Sequence, residues 1–201
     1  KVFNSLVFLN FKGDVLHIYD KIKLVPFGEY IPFRQYLGAL KDMLAPKDFT
    51  SGKLKSSPTI YGFENIITLI CYEILFTNEI ARRISKNTNL LINITNDAWF
   101  GKTIGPYQHL TLAKIKAVEF GLPIARVANT GISAYISPYG EIIGKIPLDN
   151  KGVKTFNLIS SLDTTLYKIY GEYIFVFLIL ILLVINTIYN IKFMEEELNE
   201  K

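Results

Sequence analysis

Apolar and polar positions alternate through "NSLVFLNFKGDVLHIYDK" (4 to 21), on either side of Lys12-Gly13-Asp14. That alternation predicts two strands joined by a hairpin turn. "IKLVPFGEYIPF" (22 to 33) follows; its two prolines and one glycine exclude a regular helix or a central strand, so it reads as an ordered loop. Residues 34 to 58 are weakly patterned and read as helix fragments and loop. "NIITLIC" (65 to 71) is a continuous apolar, β-branched run, the pattern of a strand covered on both faces, and "NLLINIT" (89 to 95) and "PIARVAN" (123 to 129) are expected to be the second and third buried strands. Between them, "TNEIARRISK" (77 to 86) predicts a short amphipathic helix capped by Thr77 or Asn78. "NDAWFGKTIGP" (96 to 106) is a loop by composition. Residues 107 to 120 predict a helix with Leu110, Ala113, Ala117 and Phe120 on one face. "SAYISPYGEIIGKIP" (133 to 147) reads as a hairpin turning at Pro138-Tyr139-Gly140, and "GVKTFNLI" (152 to 159) as a last strand. Strands alternating with helices, then hairpins, define a layered α/β domain over residues 1 to about 165.

The pattern then changes. "YIFVFLILILLVINTIYNI" (173 to 191) holds no charged residue. Nineteen helical residues span about 28 Å, close to the hydrocarbon core of a bilayer, and a buried core helix seldom lacks a polar face. A transmembrane helix is expected there, followed by a charged tail over 192 to 201. The net charge of +4 comes from scattered lysines that form no run. They fit a solvated surface near anionic lipid better than a nucleic-acid site. The chain starts at Lys1 inside a strand-like segment, the pattern expected for the C-terminal part of a longer protein.

Cys71 is the only cysteine. Free cysteine is often a buried core thiol. This one ends the first central strand where polar residues begin, and ligands in open α/β sheets bind outside the carboxyl ends of strands. A nucleophilic thiol needs a base or a cation nearby. The two histidines, His17 and His109, lie in no recognisable motif, which leaves Lys21, Lys23, Glu29 and Glu73 as partners. Asn96-Asp97 after the second strand offers a polar or metal site with no histidine or cysteine at ligand spacing. Asn129-Thr130-Gly131 reads as a turn.

"YDKIKLVPFGEYIPF", "ICYE" and "NDAWFGKTIGPYQH" occur in that order, and "NTGISAYISPYGEI" follows. Together they resemble the apolipoprotein N-acyltransferases, the membrane-bound branch of the nitrilase superfamily, over nearly the whole chain. The resemblance implies a nitrilase-type four-layer α-β-β-α sandwich, present here as its C-terminal part. It also implies a Glu-Lys-Cys triad, with Cys71 as the cysteine and Lys21 as the lysine; Lys23 is the weaker match. Glu29 corresponds to a second functional acid, and Tyr72 and Glu73 flank the nucleophile. The implied reaction needs no metal and no cofactor. An acyl chain passes from a membrane phospholipid to the cysteine as a thioester, then to the N-terminal amine of a diacylated apolipoprotein. The implied location is the bacterial inner membrane, with the catalytic domain on the periplasmic side.

The family's general base is a glutamate well upstream of the lysine, whereas the only acids before Lys21 are Asp14 and Asp20. The missing N-terminal part of the same enzyme is therefore an expected partner, and the 201 residues are expected to be inactive alone. Phe27, Tyr30, Ile31, Phe33, Trp99 and Phe100 put apolar groups on loops, either as packing or as a lipid and substrate loop. Two other readings stay open: a different nitrilase-type amidase, and a non-catalytic membrane-tethered remnant.

Overall fold

The structure, a computed structural model, describes residues 1–36, 47–53 and 65–199. They fall into two units, Lys1–Asp163 and Thr164–Lys201.

The first unit opens with the expected hairpin. β1 (Ser5–Leu9) and β2 (Val15–Asp20) pair antiparallel, with a register shift between Phe8 and Leu9. In the turn, Asn10 Oδ1 accepts from the backbone N–H groups of Lys12 and Asp14, both at 2.9 Å. The loop after β2 is pinned by residues 47–53: Phe49 N donates to Glu29 O and Gly52 N to Lys21 O, each at 2.8 Å. Of the expected fragments over 34 to 58, one 3-10 turn, Arg34–Tyr36, is seen. Residues 37–46 and 54–58 lie outside the described residues.

Among the described residues the central sheet has five strands, in the order β3-β4-β5-β6-β7. β3 (Ile67–Ile70), β4 (Leu91–Asn96) and β5 (Ile124–Asn129) run parallel. β6 (Ser133–Ile136) and β7 (Ile142–Ile146) continue antiparallel. All four residues of β3 are buried, as its unbroken apolar run predicted. In β4 and β5 one alternate set is buried: Leu91, Asn93 and Thr95, then Ile124 and Arg126. Burying each Leu or Ile contributes about 1.5–3 kcal/mol.

α1 (Thr77–Arg83) has Phe76, not Thr77 or Asn78, at its N-cap, with no side-chain cap bond. Thr77 Oγ1 instead accepts from Lys116 Nζ, so the hydroxyl serves a tertiary contact. α2 (Gly105–Phe120) buries Leu110, Ala113, Ala117 and Phe120 as expected, and also His109 and Lys116. It ends at Gly121, whose φ of 61° is the left-handed conformation that glycine adopts without a Cβ clash. The strand expected at 152 to 159 is not formed; those residues join no ladder. Side chains hold the segment instead: Phe156 stacks on Tyr135 with ring centroids 5.2 Å apart, and Ile159 N donates to Tyr135 Oη at 2.8 Å.

The second unit holds α3 (Leu166–Tyr170), capped by Thr165 Oγ1 accepting from Lys168 N at 3.0 Å, and α4 (Tyr173–Asn199). Tyr173–Lys192 has a mean hydropathy of 2.6, long and apolar enough to cross a membrane, with none of it buried in the protein.

Candidate active site

β2 delivers Lys21 to the mouth of the loop that follows it. Lys21 is buried, and its Nζ lies 2.7 Å from Glu29 Oε2. A buried ammonium is tolerable only when paired and hydrogen-bonded. Glu29 is in turn held by Val25 N at 2.9 Å and Asn4 Nδ2 at 3.1 Å. Lys23 points elsewhere, pairing with Glu79 at 3.2 Å while 44% exposed.

β3 ends at Ile70, and Cys71 begins a 3-10 turn, Cys71–Leu75. Cys71 is half-buried and has φ of 55°, a left-handed conformation that costs a non-glycine residue roughly 1–2 kcal/mol. Such strain persists only where the surroundings hold it.

Glu73 supplies part of that hold. Its carboxylate is buried and accepts from Ile70 N at 2.8 Å, Ile22 N at 2.8 Å, Lys23 N at 3.0 Å and Tyr19 Oη at 2.9 Å. One side chain thus ties the backbone just before Cys71 to the backbone just after Lys21 and to the Tyr19 hydroxyl just before it. Tyr19 is locked as a neutral donor: burial first, then the negative Glu73, push its hydroxyl pKa well above the ordinary tyrosine range, against the pull of Arg83. Arg83 lies over the Tyr19 ring at 4.8 Å and donates to Thr68 O at 2.9 Å.

A second polar cluster lies under the turn. Asn93 Nδ2 donates to the carbonyls of Leu69 and Cys71, both at 3.3 Å. Arg126 donates to Asn93 Oδ1 at 2.5 Å and to Asp97 Oδ2 at 2.8 Å. Asp97 Oδ1 also accepts from Thr95 Oγ1 at 3.0 Å and meets His109 Nδ1 at 2.9 Å. Burial alone pushes the Asp97 carboxyl pKa up; the His109 hydrogen bond and the Arg126 charge outweigh it, and the net shift is downward. Tyr72 stacks on His109 with centroids 5.2 Å apart, and Phe100 meets both rings edge-on. Burial, then the negative charges at Cys71 and Asp97, raise the Tyr72 pKa. Gly131 leaves room for the cluster, since a Cβ there would lie 2.4 Å from Asp97 Oδ2.

Hydrogen bonds thus link Glu73 to the residue before Cys71 and to the residue after Lys21, Lys21 pairs with Glu29, and Tyr72 packs against Phe100. The loop aromatics divide. Phe27 and Trp99 are 79% and 83% exposed, Tyr30 and Phe100 are half-buried, and Ile31 belongs to the core. Asn93 and Arg126 escaped the sequence reading, which also weighed His109 and set it aside. The first two carried a signal, a polar side chain inside an apolar strand run. His109 stood in a helix face that buries its neighbours.

The carbon-nitrogen hydrolase family profile matches residues 1–164, and the chain belongs to that family. It is 37% identical over 175 residues to the apolipoprotein N-acyltransferase of Bradyrhizobium diazoefficiens, covering 86% of this chain and 32% of that protein. It is 41% identical over 169 residues to the apolipoprotein N-acyltransferase of Allorhizobium ampelinum, covering 82% of this chain and 32% of that protein. The chain therefore spans about a third of the length of the curated relatives it matches. Among solved structures it resembles Saccharomyces cerevisiae Nit3, a member of branch 10 of the nitrilase superfamily, with a TM-score of 0.56 and 15% identity. That match covers 74% of this chain and 51% of Nit3, and it establishes the nitrilase-type fold.

Proposed function

We propose that the chain is the cysteine-bearing part of an N-acyltransferase that moves an acyl chain from a membrane phospholipid to the N-terminal amine of a diacylated apolipoprotein. The observation that carries this reading is the Glu73 link between the Cys71 turn and the buried Lys21, in a chain whose relatives bear that name.

The Cys71 thiolate attacks the ester carbonyl of the phospholipid. The carbonyl electrons move onto oxygen, and the Lys21 ammonium together with the Tyr72 backbone N–H stabilise the oxyanion. Collapse breaks the C–O bond, and the leaving lysophospholipid alkoxide takes the proton that the thiol gave up. The acceptor amine then attacks the thioester, forming an amide and returning the thiol. Two substrates sharing one covalent intermediate give ping-pong kinetics. A general base must carry the proton in both halves. Glu29 is engaged by Lys21, and Glu73 by its own ring of donors, so neither is free for that task. Following the resemblance, the reading assigns the base to the family's glutamate upstream of Lys21. α4 anchors the domain at the bilayer, where donor and acceptor both reside, in a bacterial inner membrane with the domain on the periplasmic side.

The test uses a full-length enzyme carrying this segment and phospholipid labelled in its acyl chain. Wild type should retain a hydroxylamine-sensitive label, and Cys71→Ala and Cys71→Ser should lose both label and triacylated product. Label that survives in Cys71→Ala moves the nucleophile elsewhere and sinks the reading.

A further inference from the structure

We propose that Arg126 is a positioning residue for the nucleophile, acting through Asn93 to aim the peptide that follows Cys71. The inference rests on Cys71 being the acylated thiol.

The strand register brings the parts together. Leu69 pairs with Asn93, and Asn93 with Arg126, so the three lie in one row across β3, β4 and β5. Neighbouring strands stand about 4.8 Å apart, within reach of side-chain hydrogen bonds along such a row. Arg126 is 2% exposed, and its two terminal nitrogens go separate ways, Nη1 to Asn93 Oδ1 and Nη2 to Asp97 Oδ2. The first contact fixes the Asn93 amide: a guanidinium donates only, so it must meet the oxygen, and the NH₂ is turned toward β3. There it meets the Leu69 and Cys71 carbonyls.

The Cys71 carbonyl belongs to the peptide plane that also carries the Tyr72 N–H. In a trans peptide the two point in opposite directions. Anchoring the carbonyl inward on Asn93 therefore turns the Tyr72 N–H outward, where the proposed oxyanion develops. Cys71 has φ of 55°, so this peptide is not held by ordinary backbone preference. Asn93 holds the carbonyl side of Cys71, and Glu73 holds the Ile70 N–H on the other side. Asp97 anchors the far arm of Arg126, with Thr95 and His109 holding Asp97 in turn. The two-armed contact requires a guanidinium; an ammonium is a point charge that reaches one partner well.

The experiment compares Arg126→Lys and Asn93→Asp in the full-length enzyme, with rates normalised to the folded fraction. Arg126→Lys keeps the charge facing Asp97 but loses the second arm. Asn93→Asp keeps the acceptor for Arg126 but loses the donor to Cys71. Both should slow single-turnover thioester formation by on the order of 10²-fold while leaving KM for phospholipid unchanged. Normal rates in folded variants overturn the inference. So does a loss confined to KM, or a failure of both proteins to accumulate, because each makes Arg126 a purely structural residue. Cys71→Ser runs alongside: if it still forms product, the nucleophile reading has failed, independently of Arg126.

Discussion

The Glu73 carboxylate and the backbone N–H of Ile22 meet at 2.8 Å across 51 residues of sequence. The same carboxylate holds Ile70 N, the last donor before the thiol. A glutamate flanking a nucleophile is readily taken for an acid or a base. Here it is an acceptor saturated by donors, and its work is to set the distance between two segments that meet only in the fold.

Glu73→Gln should therefore damage the enzyme twice. The amide turns a donor toward groups that are themselves donors, and hydrogen bonds to a buried charge are worth about 1.5–3 kcal/mol each. We expect a loss of roughly 2–3 kcal/mol in stability, read as a lower melting temperature. The folded fraction should also acylate more slowly, because the Lys21 loop is no longer tied to the Cys71 turn. A variant of normal stability that loses only the proton-transfer limb of its pH–rate profile would make Glu73 a general base.

Lys21→Arg should lose acyl transfer by about 10²-fold or more, the scale of one oxyanion donor, despite keeping the charge. Lys21 is fully buried against Glu29, and a planar guanidinium cannot place its donors where a compact ammonium does. Lys23→Arg, at a half-exposed pair with Glu79, should stay near wild type. The reverse ranking in a steady-state assay would hand the role to Lys23.

What could be read in advance follows physical lines. The β3 run and the Lys12-Gly13-Asp14 turn were legible because each is a local preference. The last strand at 152 to 159 was not: alternation marks a sheet-compatible segment but not whether its N–H groups find a partner, and here Phe156 packs on Tyr135 instead. The start of α1 at Thr77 was legible, but its cap was not, because the Thr77 hydroxyl is drawn away by Lys116, a residue 39 positions distant. In the site, Cys71 stood out by its place at a strand end, and the resemblance supplied Lys21 and Glu29. Asn93 and Arg126 were visible as polar residues in apolar strands, but only parallel register sets them side by side.

The Asp97 cluster predicts an acid-side loss of stability. The Asp97 carboxyl pKa is lowered in the fold from an unfolded value near 3.9. The depressed pKa contributes stability that is fully present above the unfolded value and is lost as pH falls through the lower folded value. Asp97→Asn should flatten that acid limb. At neutral pH it should cost about 3–5 kcal/mol, since it leaves the buried Arg126 uncompensated. Melting curves from pH 7 to pH 2 check both. An unchanged acid limb in Asp97→Asn would assign it to other carboxylates.

Phe27 and Trp99 should act on lipid rather than on chemistry. Both are large, exposed and carried on loops, and Phe27 has φ of 62°, a conformation that ordinary packing does not favour. The double variant Phe27→Ala, Trp99→Ala should raise KM for phospholipid in vesicles several-fold, while kcat for a soluble short-chain ester stays within about twofold. Equal losses on both substrates would place the two rings in the catalytic arrangement instead.

α4 poses a question of direction. Its exposed apolar stretch is expensive in water and at home in a bilayer, so the helix should span with Tyr173 near one surface and Lys192 near the other. Charge alone does not orient it. Lys192 ends the span and Lys201 lies beyond it beside several glutamates, while Lys151, Lys154 and Lys168 precede it. Acids count little toward the positive-inside rule, which leaves lysines competing on both sides. The resemblance to the acyltransferases sets the expectation: under the proposed function, the Cys71 domain lies on the periplasmic side and residues 192 to 201 in the cytoplasm. In spheroplasts of cells making the full-length enzyme, added protease should cleave within residues 1 to 165 and leave a C-terminal tag intact until the membrane is opened. A protected domain and a clipped tag would reverse the orientation and take the proposed acceptor with it.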